Sequence, residues 1–187
     1  MSQPTLTTAR LTLRPFVPSD AALVAELAGA REVADTTRNI PHPYLPEMAE
    51  QWISAQPAAF TAGSVVTFAI SSRSDATLYG AISLRLALDD KRAEMGYWLG
   101  VPYWGKGYTT EAAAAIVDYG FSEWQLNRIY ASHITRNPAS GRVMQKIGMR
   151  YEGCLRQHFI KWGAFDDLAQ YAILREEWPA AHVGPVG

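Results

Sequence analysis

Residues 102–111 read PYWGKGYTTE and run directly into the alanine-rich segment AAAAI at 112–116. Glycine inside a helix costs about 1 kcal/mol relative to alanine, so Gly105 and Gly107 belong to the approach to a helix, not to its interior. A strand that ends in a glycine loop and enters a helix N-terminus presents several unpaired backbone N–H groups. With the helix dipole, these form a site for phosphate oxygens. Gly105 and Gly107 lack the side chains that would block that approach; the alternative is that they only make a tight turn. The spacing excludes two common loops. A P-loop requires G-x-x-x-x-G-K followed by Ser or Thr, and a dinucleotide fold requires G-x-G-x-x-G, whose third glycine would fall on Thr110.

Upstream, VVTFAISS (65–72), TLYGAISLRLAL (77–88) and RAEMGYWLG (92–100) form three consecutive strand candidates. The polar clusters SRSDA and DDKR between them suit hairpin turns, so three antiparallel strands are expected. Farther upstream, TLTTARLTLRPF (5–16) alternates as one strand and DAALVAELAGA (20–30) has helical spacing. The segment from Arg31 to Pro46 carries three prolines and is read as a loop, after which EMAEQWISAQ (47–56) returns to helix.

Downstream, a helix is expected over roughly Tyr108 to Ser122, then the strand NRIYASHIT (127–135) and the short helix PASGRVMQKIG (138–148). Asn137 before Pro138 starts that helix, because Asn caps free amides and Pro fits the first turn, and Gly148 suits its end. YEGCLRQHFIKW (151–162) and DLAQYAILREEW (167–178) are two further strands around Gly163-Ala164, with a loose tail from about 179. The order β, α, α, β, β, β, α, β, α, β, β implies an α+β fold with a mixed, mostly antiparallel sheet and helices on its faces, because only the crossover around the glycine loop requires parallel neighbours.

The 187 residues, 48% hydrophobic, suit a single domain over 1–187. Lys plus Arg number 17 against 18 for Asp plus Glu, so the formal charge is -1 and no cationic footprint for nucleic acid is expected. Cys154 is the only cysteine, the start MSQPTLTTARL has no apolar export-signal core, and no apolar run approaches membrane-span length. A cytoplasmic protein without membrane attachment is expected. His42, His133, His158 and His182 have no metal-ligand spacing, so no metal is expected.

Several motifs in order carry a resemblance: EMGYWLGVPYWGKGYTTEA (94–112), NPASGRVMQKIGM (137–149) and YEGCLRQHFIKWGAFDDLAQYAIL (151–174). Together they resemble the GNAT superfamily of acetyl-CoA-dependent N-acetyltransferases, and within it the RimJ/RimL-like branch, named for enzymes that acetylate the N-termini of ribosomal proteins. The likeness runs from Leu11 to Glu177. The superfamily's pyrophosphate signature falls on Trp104, Gly105, Lys106, Gly107, Tyr108 and Thr109, with Trp104 in place of Gln or Arg and Thr109 in place of Gly or Ala. The resemblance implies that the fourth strand, about Glu94 to Val101, splays from the fifth, about Arg128 to Thr135. The pantetheine arm of acetyl-CoA would pair with the backbone exposed there, at Leu99 and Val101. Gly100 would allow a bulge or close ligand approach, or is simply a strand-end glycine.

Acetyl transfer to an amine requires a base for the attacking nitrogen and stabilisation of the departing thiolate. Glu94, alone in an apolar strand beside the expected cleft, is the candidate base, because desolvation would raise its pKa. The alternative is a strand-edge charge paired with Arg92 or Arg128. Near Phe159, where some relatives would carry a glutamate, this chain has none. Ser140, in the first turn after Asn137, is the candidate acid near the thioester sulfur, or else a local cap. Asn137 could contact the pantetheine amide, cap its helix, or do both. Trp98 and Tyr97 alternate faces, so one of them is expected to face the cleft. Asp166 and Asp167 form a solvated turn or attract a cationic amine.

The expected function is acetyl transfer from acetyl-CoA to a primary amine by direct attack in a ternary complex. A protein N-terminal α-amine is the branch expectation. The rivals are a small-molecule acceptor (amino acid, polyamine or antibiotic) and a non-catalytic acyl-CoA-binding module. The sequence leaves open whether the chain forms a homo-oligomer.

Overall fold

The computed structural model describes residues 2–178, so the expected loose tail and His182 lie outside the described residues. Eight strands form one sheet in the order β1-β2-β3-β4-β5-β6-β8-β7. They are β1 Leu6–Thr7, β2 Leu11–Arg14, β3 Val65–Ser72, β4 Leu78–Ala87, β5 Arg92–Leu99, β6 Arg128–Ile134, β7 Arg150–Lys161 and β8 Ala164–Leu174. Every pairing is antiparallel except β5 with β6.

That exception positions the site. β5 and β6 meet over three residue pairs only, Arg92 with Arg128, Ala93 with Ile129 and Glu94 with Tyr130. Beyond Glu94 the strands part. β5 stays paired to β4 along its whole length, and β6 to β8 over seven pairs, so the gap opens inside the sheet and not at its edge.

Helices cover both faces, as the element order implied. The helices α4 (Tyr108–Ser122) and α5 (Pro138–Lys146) bury one face, where Leu84, Met95, Ile116, Val117, Ile129 and Met144 share a core. The helices α1 (Ala21–Gly29) and α3 (Pro46–Thr61) bury the other, where Val24, Leu27, Ala49 and Ile53 meet Ala69, Leu78 and Ala81 of the sheet. The expected span of α4 is the observed one.

Three expectations need correction. Residues 5–16 make a hairpin and not one strand: β1 pairs with β2, Leu6 opposite Leu13, around a turn in which Thr8 N donates to Leu11 O at 2.9 Å and Leu11 N to Thr8 Oγ1 at 3.0 Å. Leu6 and Leu13 lie seven positions apart, on opposite faces of any single strand, and only the turn between them puts the two side by side on one face. The segment read as a loop begins with a short helix, α2 (Arg31–Thr36), which buries Val33 and Ala34. Its three prolines all lie beyond Thr36 and so do not oppose it. Finally, β8 begins at Ala164 and ends at Leu174, three residues earlier at its start and four earlier at its end than the expected span of 167–178. Trp162 and Gly163, both left-handed at φ 49° and 83°, make the two-residue turn of the β7–β8 hairpin.

Candidate active site

The glycine loop ends where α4 begins. Gly107 is the residue before the helix, at φ 80° and ψ 4°, and Gly105 has φ 73°. Both sit in the left-handed region that disfavours other residues. A Cβ at Gly105 would meet nothing within 4 Å, and one at Gly107 only the Arg10 guanidinium at 3.4 Å, so within the chain it is backbone conformation, not crowding, that requires glycine. The first intrahelical bond runs from Glu111 N to Gly107 O at 3.1 Å. The amides of Tyr108, Thr109 and Thr110 therefore have no acceptor within the helix and face its N-terminal end.

The glycine loop is tied to the β1–β2 turn. Arg10 donates through Nη1 to Lys106 O at 3.0 Å and through Nε to Glu111 Oε2 at 2.7 Å, while Glu111 Oε1 accepts from Thr8 Oγ1 at 2.6 Å and Arg10 N at 2.8 Å. Burial pushes the Glu111 carboxyl up, but these hydrogen bonds and the Arg10 charge outweigh it and hold its pKa below the ordinary value. Arg10 also lies over the Tyr108 ring, which stacks on Tyr79 with centroids 4.8 Å apart. Neither Arg10 nor Glu111 was singled out in the sequence; a carboxylate in the first turn of a helix was the signal available.

β5 offers backbone to the gap. Gly100 N donates to Tyr79 O, which turns the even-numbered peptide groups of β5 toward β4. The odd-numbered ones, Tyr97 and Leu99 included, therefore point to the side where β6 has parted. The indole Nε1 of Trp104 donates to Leu99 O at 2.8 Å, placing Trp104 against the end of this strand. Gly100 itself answers to packing, because a Cβ there would lie 2.6 Å from Leu27 Cδ2 of α1.

A cleft of about 1130 Å³ runs through the gap. Its walls bring together Glu94, Leu99, Trp104, Gly105, Gly107, Tyr108, Thr109, Asn137 and Ser140. Val101 and Lys106 are not on its walls. β5 ends at Leu99, Val101 enters a single 3-10 turn, and Lys106 lies with its Nζ over the Tyr103 ring at 5.8 Å. Because the cleft passes through the sheet, Tyr97 and Trp98 both line it, from opposite faces, where only one was expected. Glu94 belongs to the Trp98 face and Tyr97 to the face of α4 and α5.

Glu94 is half-buried on the cleft wall. Its two expected partners are engaged elsewhere, Arg92 with Asp90 at 3.0 Å and Arg128 with Glu152 through both guanidinium nitrogens. Among the described residues no hydrogen bond or ion pair engages Glu94.

Ser140 is held by a partner absent from the sequence reading. Tyr97 Oη lies 2.8 Å from Ser140 Oγ and 3.0 Å from the Ser140 carbonyl. Burial of the phenol outweighs the Ser140 hydrogen bond and pushes the Tyr97 pKa up to about 12. Asn137 caps α5, its Oδ1 accepting from Ser140 N at 3.4 Å, and it also lines the cleft. α5 reaches this position because residue 141 is glycine: a Cβ there would lie 2.6 Å from Nε2 of buried His133.

At one end of the cleft the α2–α3 loop is joined to the β7–β8 hairpin. Lys161 Nζ donates to Ile40 O at 2.9 Å, and the Arg31 guanidinium lies over Trp162. Asp166 and Asp167 lie within β8 and form no solvated turn. Asp166 is buried against Arg136 at 2.9 Å, and Asp167 accepts from Gln157 N at 2.7 Å. Among the described residues no group of three or more His, Cys, Asp or Glu side chains is placed to hold a metal, and no helix is long and apolar enough to cross a membrane.

Residues 10–150 match the family described as Acetyltransferase (GNAT) domain. The chain is 34% identical over 175 residues to the uncharacterized N-acetyltransferase YnaD of Bacillus subtilis strain 168, covering 92% of this chain and 98% of that one. It is 34% identical over 96 residues to the ribosomal-protein-serine acetyltransferase of Escherichia coli K12, covering 51% of this chain and 54% of that one. Among solved structures, Mycobacterium smegmatis RimJ in complex with CoA-disulfide superposes with a TM-score of 0.80 at 27% identity, covering 90% of this chain and 84% of that one. A sheet parted beside a glycine-capped helix and a domain match over most of the chain lead to one conclusion: the chain belongs to the GNAT family of acetyltransferases.

Proposed function

We propose that this acetyl-CoA-dependent N-acetyltransferase acts on a protein N-terminal α-amine, with the cofactor cradle and the acceptor on opposite faces of the parted sheet. The observation that carries the reading is the cleft that passes between β5 and β6, with free helix-terminal amides on one side and Glu94 on the other. In this reading the pyrophosphate of acetyl-CoA lies on the amides of residues 105–109, within the loop formed by Trp104, Gly105, Lys106, Gly107, Tyr108 and Thr109. The pantetheine arm takes the outward peptide groups of Tyr97 and Leu99 as a strand would, with Asn137 nearby. Because β5 ends at Leu99 and Val101 enters a 3-10 turn, the strand-like contact in this reading ends at Leu99.

The neutral amine attacks the thioester carbonyl, forming the N–C bond. Its proton leaves through water to Glu94, and the C–S bond breaks with its electron pair on sulfur. Ser140 donates a hydrogen bond to the sulfur as that charge develops, an interaction stronger in the transition state than before it. The resemblance to the ribosomal-protein-serine acetyltransferase of Escherichia coli supports a polypeptide acceptor. The α2–α3 loop, which lines the cleft at Arg38, Asn39 and Ile40 and is tied to the β7–β8 hairpin by the Lys161–Ile40 hydrogen bond, favours a second reading, a small amine. Thiol release from acetyl-CoA, measured with peptides beginning with Ser, Ala or Met and with a panel of small amines, decides between them. Faster release with peptides supports the first reading and faster release with small amines the second. Release that no acceptor stimulates would leave only an acyl-CoA-binding module.

A further inference from the structure

We infer that Tyr97 is a positioning residue for the leaving-group step, its phenol acting on the departing sulfur through the Ser140 hydroxyl. The inference rests on the role given to Ser140 above. Tyr97 Oη is within hydrogen-bond distance of two oxygens of one residue, Ser140 Oγ at 2.8 Å and Ser140 O at 3.0 Å. The carbonyl can only accept, whereas each hydroxyl donates one proton and can accept others.

Two arrangements of the same heavy atoms follow. In the first, Tyr97 donates to the Ser140 carbonyl and Ser140 donates to Tyr97 Oη, so the serine proton points away from the cleft. In the second, Tyr97 donates to Ser140 Oγ, and the serine proton is free to point at the sulfur. Only two O–H rotations separate them. Negative charge on sulfur favours the second arrangement, and there the phenol polarises the serine hydroxyl and makes it a better donor, as linked hydrogen bonds do. No proton leaves Tyr97. Its raised pKa keeps the phenol intact through the working pH range, and a thiol with a pKa of about 8.5 can depart as the hydrogen-bonded thiolate. The serine rotamer is thus fixed from β5, which also carries Glu94 and the backbone facing the gap.

The test is a double-mutant cycle on the full chain with steady-state kinetics, isothermal calorimetry with acetyl-CoA and thermal melting. Ser140→Ala is expected to lower kcat about tenfold and Tyr97→Phe about fivefold, each leaving KM for acetyl-CoA within twofold. In the Ser140→Ala background, Tyr97→Phe is expected to change kcat by less than twofold, because its route to the sulfur has gone. If Ser140→Ala leaves kcat intact, the reading of Ser140 fails and this inference with it. If Ser140→Ala slows turnover but Tyr97→Phe does not, only the inference about Tyr97 fails. A fivefold loss that persists in the Ser140→Ala background, or that appears in KM and calorimetric affinity instead of kcat, assigns Tyr97 to support of α5 and overturns the inference. Should Tyr97→Phe melt below the assay temperature, 3-fluorotyrosine at position 97 keeps every contact and strengthens the phenol as a donor. An altered kcat that depends on Ser140 then supports the inference, and an unaltered one overturns it.

Discussion

The Glu111 carboxylate, in the first turn of α4, accepts a hydrogen bond from Arg10 Nε at 2.7 Å across 101 residues of sequence. The same guanidinium donates to the Lys106 carbonyl, so the β1–β2 turn holds the glycine loop and the helix it precedes in one geometry. Arg10→Ala frees both. A loss of about 1 kcal/mol in cradle alignment corresponds to roughly fivefold weaker acetyl-CoA binding. Calorimetry checks this, and unchanged affinity would show that the cradle aligns without Arg10.

The same pair carries a pH dependence. The folded-state pKa of Glu111 lies below its ordinary 4.5, so its contribution to stability is complete above about pH 4.5 and is lost as the pH falls from there through the folded value. Other carboxylates, Asp20 and Glu152 among them, are also depressed. The informative quantity is therefore the difference between wild type and Glu111→Gln. Urea midpoints of the two are expected to converge as the pH drops from 5.5 toward 3, and a constant gap would refute the assignment.

Gly107→Val forces a β-branched residue to φ 80°, a conformation that costs roughly 1–2 kcal/mol for residues with a Cβ. The chain is expected to remain folded, because the new Cβ meets only the Arg10 guanidinium at 3.4 Å. Acetyl-CoA affinity is expected to fall at least fivefold by calorimetry. Native affinity in a folded variant would move the pyrophosphate away from this loop.

Glu94→Gln keeps the shape of the side chain and removes its basicity. Turnover is expected to fall roughly 10²-fold, the scale of general base catalysis, with acetyl-CoA binding unchanged. Near-normal kcat would exclude Glu94 from the proton path.

Gly141→Ala places a Cβ 2.6 Å from His133 Nε2, so α5 or the imidazole has to shift. Overpacking of this kind costs about 1–3 kcal/mol. Since Ser140 is the adjacent residue, kcat is expected to drop together with the melting temperature. A lowered melting temperature with native kcat would mean that the imidazole, and not the helix, gives way.

What the sequence by itself determined are features written in neighbouring residues. Gly107 before Tyr108 and Asn137 before Pro138 mark the starts of α4 and α5, because positive φ, amide capping and the missing proline N–H are properties of one or two residues. Three apolar runs in 65–100, separated by the polar clusters SRSDA and DDKR, likewise located β3, β4 and β5, because turn-forming residues between strand candidates are a local signal. Tertiary structure decided which of these meet. Tyr97 finds Ser140 across 43 residues and Arg10 finds Glu111 across 101, through the packing of α5 on β6 and of the β1–β2 turn on α4. Local patterns carry no term for either docking. The same holds for the gap itself. Alternation along β5 says which side chains share a face, but only the loss of pairing to β6 beyond Glu94 lets residues of both faces line one cleft.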